Sequence, residues 1–96
     1  MRAFDLGVLI TARAGRDKGR CFVIVGIIDD QYVLIADGDT RPVARPKKKK
    51  LMHVHAEPEL AEDIREKLIK GEYIQDAEIR RAIARYTNKK RPDKEG

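Results

Sequence analysis

The chain has 96 residues, 39% of them charged, with a formal net charge of +5 and a pI of 9.5. That length suits one small domain with an appendage and leaves no room for a large active-site cleft, and the basic balance favours polyanionic partners. The one cysteine, Cys21, excludes an intramolecular disulfide, and no apolar stretch nears the roughly 18 to 20 residues that span a bilayer. The N-terminus lacks the cationic-then-apolar pattern of a secretory signal, so the cytoplasm is expected and no membrane partner is.

After a short lead-in, Leu6, Val8, Ile10 and Ala12 alternate with other residues and predict a first strand over 8–12. A loop with two glycines, Gly15 and Gly19, separates it from residues 21–28, which are apolar on both faces and read as a central strand. Cys21 falls in this run and reads as a small buried hydrophobe. A polar turn at Asp29, Asp30 and Gln31 leads to a third strand over 32–36. It is followed by Asp37-Gly38, a dipeptide suited to a tight type I′ turn. Pro42 and Pro46 limit residues 43–45 to a short edge strand, with the following lysines on an exposed edge or loop. Leu51, Met52 and Val54 suggest a last strand. Five short strands with tight turns are most simply closed into a small barrel.

Past His55 the period changes. Pro58 suits a first helical turn, Leu60, Ala61, Ile64, Leu68 and Ile69 recur at helical spacing, and Gly71 stops the helix. Glu59, Glu62 and Asp63 lie early in it and Arg65, Lys67 and Lys70 late, as the helix dipole favours. A second helix starts at Asp76 as N-cap, with Ile79, Ala82, Ile83 and Tyr86 on its apolar face. The predicted organisation is a β-barrel over residues 1–56, a helical appendage over 57–87 and a disordered basic tail over 88–96.

Charge is concentrated where this pattern places loops. The loop after the first strand carries Arg13, Arg16, Lys18 and Arg20, and its glycines permit the positive φ that a compact tip needs. A second segment carries six cations and no acid: Arg41, Arg45, Lys47, Lys48, Lys49 and Lys50. A solvated hairpin tip and a solubilising basic loop are the plain alternatives. Unopposed cations repel one another unless an anion joins them, which favours phosphate contacts from both. The spacing is not that of a nucleotide-binding phosphate loop, since no Lys-Ser/Thr ending or helix follows.

The run Gly15-Arg16-Asp17-Lys18-Gly19-Arg20-Cys21-Phe22-Val23-Ile24-Val25, then Ile27-Ile28-Asp29-Asp30, Val33-Leu34-Ile35, Val43-Ala44-Arg45-Pro46 and Leu51-Met52-His53-Val54, resembles the KOW motif of SH3-like barrels. It is most similar to the fourteen-e class of archaeal and eukaryotic large-subunit ribosomal proteins, over roughly residues 6 to 55. The resemblance implies an SH3-like, KOW-type barrel whose loops face ribosomal RNA. The four successive lysines and the strongly helical tail depart from that pattern, leaving open a core ribosomal or an accessory role.

Other chemistry has little support. There is no serine, Cys21 lies mid-strand, and the carboxylates fall where helix pairing or, for Asp37 and Asp39, Asx-type turn bonding accounts for them. His53 and His55, two apart on a strand, share a face and with Cys21 would make three metal ligands, but a fourth is missing, so neither metal nor cofactor is expected. Phe22 and Tyr32 read as core, an outward Tyr32 being able to stack. With 5% aromatics, RNA would be recognised by shape and phosphate position. The expected function is non-catalytic binding of structured, ribosomal RNA. The alternative is a module docking on transcription or translation proteins through its helices, favoured if Ile64, Leu68, Ile79 and Ile83 form an exposed stripe.

Overall fold

A computed structural model describes residues 3–90. Five strands, β1 (Val8–Ala12), β2 (Cys21–Ile27), β3 (Tyr32–Ala36), β4 (Lys47–Lys50) and β5 (Val54–Leu60), precede two helices, α1 (Glu62–Lys70) and α2 (Asp76–Lys90). The strands form one antiparallel sheet in the order β4-β3-β2-β1-β5. β2 is central, as its two apolar faces predict. β4 and β5 are the two edges, and no ladder between them closes the sheet among the described residues.

The double-sided apolar pattern of β1 and β2 is explained by two cores on one sheet. Val8, Ile10, Phe22, Ile24, Val33, Ile35 and Val54 pack on one face. Leu9 and Val23 point the other way and are covered by Ile64, Ile74, Ile79, Ala82 and Tyr86 from the helical segment, with Cys21 packed at its margin, half-buried. The helices are thus built into the molecule. Ile64 and Ile79 are fully buried, and Leu68 and Ile83 pack partly buried against them, so the stripe that would mark an exposed docking face is turned onto the sheet.

Several boundaries differ from the sequence expectation. Residues 43–45 form no strand, whereas the four lysines do, pairing with β3 from Ile35↔Lys47 to Tyr32↔Lys50. Leu51–His53 is a 3₁₀ turn, so His53 and His55 are not two positions of one strand. Pro58 lies inside β5 and not in a helix. Between Ile10↔Ala56 and Val8↔Leu60 the edge strand carries extra residues, a bulge where a missing N–H interrupts no ladder. α1 begins only at Glu62, and Gly71 ends it with φ 74°. α2 continues to Lys90, past the predicted end at residue 87; residues 91–96 of the predicted tail lie outside the described residues.

Candidate nucleic-acid interface

In an antiparallel meander the β1–β2 and β3–β4 loops emerge at the same end of the sheet; here the first carries one cationic segment and the second carries Arg41 and Arg45, with the lysines of the second segment continuing along β4. Gly15 and Gly19 adopt φ 83° and 87°, and Arg13, Arg16, Lys18 and Arg20 are all exposed around them. Asp17 is the exception in this tip, being 7% exposed. Its carboxylate accepts a hydrogen bond from Lys47 Nζ at 2.9 Å, and Arg20 lies at 4.0 Å. That bond, with burial opposing it and the charges of Lys47, Arg41 and Arg20 adding to it, holds the Asp17 carboxyl below its usual range. Lys49 Nζ also reaches the Ala14 carbonyl at 3.3 Å. One buried anion therefore gathers cations from both segments.

A second acid does the same for the β3–β4 loop. Asp37 accepts the backbone N–H groups of Asp39 (2.9 Å) and Arg41 (2.8 Å), the Thr40 hydroxyl (2.9 Å) and the Arg20 guanidinium (3.1 Å). Burial pushes its carboxyl up, but the Arg41 and Asp39 amides, Thr40 and Arg20 outweigh burial and hold it below the usual range. The predicted Asx-type role is seen at Asp37. The tight two-residue turn is not, because residues 37–46 form a longer loop in which Asp37 and Gly38 both donate to the Arg41 carbonyl.

Strand alternation divides the lysines of β4. Lys47 and Lys49 lie on the side of Val33 and Ile35 and reach the β1–β2 loop. Lys48 and Lys50 lie beside Tyr32, with their ammonium groups 4.6 and 5.9 Å from its ring centroid. Tyr32 is half-buried, whereas Phe22 is fully in the core. Of the ten cations singled out in the sequence, Arg20 and Lys47 are paired with carboxylates. Arg13, Arg16, Lys18, Arg41, Arg45, Lys48, Lys49 and Lys50 make no carboxylate pair among the described residues, Lys49 bonding the Ala14 carbonyl instead.

The sequence reading missed Asp17 as an organising acid, the Arg20 partner of Asp37 beyond its turn role, and the part played by α2. Arg80 Nη1 donates to the Gly38 carbonyl at 2.6 Å, and Asp76, expected only as a helix cap, accepts the Val43 N–H at 2.7 Å. The start of α2 is thereby clamped to the loop that carries Arg41 and Arg45. An aspartate inside each basic or turn segment was the available signal. Among the described residues no cluster of His, Cys, Asp or Glu is arranged to hold a metal ion, and no helix is long and apolar enough to cross a membrane.

No family model matches the chain. Over 58 residues, 60% of this chain, it is 36% identical to the large ribosomal subunit protein eL14 of Desulfurococcus amylolyticus. The chain's match spans 58% of that relative's length. In sequence the chain thus resembles the fourteen-e class of large-subunit ribosomal proteins.

Proposed function

We propose that the protein is a non-catalytic RNA-binding protein of the ribosome, acting in translation in the cytoplasm, and that its partner is structured ribosomal RNA of the large subunit. Similarity to a large-subunit protein supports this reading. The observation that carries it is that cations from two segments distant in sequence meet at Asp17, where the β1–β2 loop lies against the start of β4. In this reading Arg13, Arg16, Lys18, Arg41, Arg45, Lys48 and Lys50 neutralise phosphates, and Arg20, Lys47 and Lys49 hold the two loops in register while adding to the field. The five-stranded sheet is read as an SH3-like barrel of KOW type. Supporting this, Lys47 and Lys49 of the edge strand β4 reach Asp17 and the Ala14 carbonyl of the β1–β2 loop.

The test separates contact from scaffold. Arg16→Ala with Lys18→Ala removes two exposed cations that make no carboxylate pair, so the fold should be unchanged while the salt dependence of binding to deproteinised large-subunit RNA loses about two units of slope. An unchanged slope would remove this loop from the interface.

A further inference from the structure

We infer that the outer face of α2, through Arg81 and Arg85, is a further RNA-backbone contact, an inference that rests on the RNA reading above. The inward face of the helix is occupied: Ile79, Ala82 and Tyr86 are buried against the sheet and Ile83 packs beside them. Arg81 and Arg85 lie on the opposite side, both exposed, one turn apart with a rise of about 6 Å. Two like charges at this spacing work against the helix that carries them, and Glu78, whose charge Arg81 feels, is hydrogen-bonded elsewhere. Glu78, nearest along the helix, is held by Lys67 at 2.8 Å and accepts the Gln75 N–H at 3.1 Å, while Glu59 is held by Lys89 at 3.1 Å. Neither arginine makes a carboxylate pair among the described residues.

The helix is also fixed to the cationic loops. Beyond the Arg80 and Asp76 bonds to the β3–β4 loop, a Cβ added at Gly38 would collide with the Asp76 carbonyl oxygen and come within 3.0 Å of Arg80 Cγ. The two arginines are therefore presented in a fixed relation to Arg41 and Arg45. A trough of about 370 Å³ runs between Arg20 and Asp39 on one side and Arg80, Ala84 and Thr87 on the other. Carboxylates at Asp37 and Asp39 line it and repel phosphate, so the backbone contact falls to the outer face of the helix, where no carboxylate pairs with the arginines.

The experiment compares the full chain with Arg81→Ala/Arg85→Ala and Arg81→Glu/Arg85→Glu, titrating salt against deproteinised large-subunit RNA, with Arg16→Ala/Lys18→Ala in parallel. Both side chains are exposed, so melting curves of the variants should match the parent. The expected result is a loss of about two units of salt slope for the alanine pair, and weaker binding still for the glutamate pair. A slope unchanged by the helix variants but lowered by the loop variant overturns the role of α2 and leaves the RNA reading standing. A parent protein that fails to bind this RNA overturns both.

Discussion

At the scale of single residues the fold depends on a few buried polar groups whose partners are distant in the chain. Glu57, buried beside the bulge of β5, accepts hydrogen bonds from the Thr11 hydroxyl and, at 2.7 Å, from the Tyr86 hydroxyl. It thereby ties both the first strand and the last helix to an edge strand. The bond to Glu57, then burial and the carboxylate charge, push the Tyr86 hydroxyl up to about 12. A group whose folded pKa exceeds its unfolded value of about 10 stabilises the fold fully below that value, and its contribution is lost as pH rises towards the folded one. Tyr86→Phe should cost about 1.5 to 3 kcal/mol, the range for a hydrogen bond to a charged group, measured by chemical denaturation at neutral pH. It should also remove the stability loss that this group adds between about pH 10 and 12. A variant as stable as the parent would mean that the carboxylate finds another donor.

At the scale of elements, what could be read from the sequence depended on whether local pattern or long-range pairing decided the conformation. β1, β2, β3 and the core face of α2 follow their periodicity closely, because each apolar repeat already matches the surface it covers. β4 does not: lysine is a poor strand former, and this segment is extended because β3 offers it an edge and the β1–β2 loop anchors Lys47 and Lys49. Pro58 carries an equally valid local signal for a helix start, overridden when β5 pairs with β1 as far as Leu60. The candidate cations were legible as two charge runs. The Asx role of Asp37 was legible too, but the pairing of Asp17 with Lys47 and of Asp37 with Arg20 was not, because the partners are 30 and 17 residues away. The same contrast predicts the outcome at two glycines. Both Gly19 and Gly38 have positive φ, but a Cβ at Gly19 meets nothing within 4 Å, whereas at Gly38 it strikes the first turn of α2. Gly19→Ala should cost about 1 to 2 kcal/mol of backbone strain. Gly38→Ala should cost clearly more and loosen α2, seen as faster hydrogen exchange at Val43; equal costs would sink the account of the clamp.

At the scale of the molecule, two cores share the central strands, and charge pairs lock the periphery onto them. Among the carboxylates that carry this locking are Asp17 between the β1–β2 loop and β4, Asp37 between the β1–β2 and β3–β4 loops, and Glu78 between α2 and α1. All three are held below their usual range. The Lys47 bond does so at Asp17 and the Lys67 bond at Glu78, while at Asp37 the amide and hydroxyl donors and Arg20 overcome burial. A carboxyl with a depressed folded pKa contributes fully above its unfolded value, about 4, and that contribution drains away as pH falls through the folded value. The melting temperature should therefore be nearly flat from neutral pH to about 5 and decline steeply below about 4. Because the same pairs hold the cationic loops and α2 in one arrangement, exchange protection at Arg41 and Val43 should fall in the same window, ahead of the amides of β2. Asp17→Asn with Asp37→Asn should lower stability at neutral pH and shrink the acid decline. If the double variant kept the parent's full acid dependence, the locking would have to reside in other carboxylates.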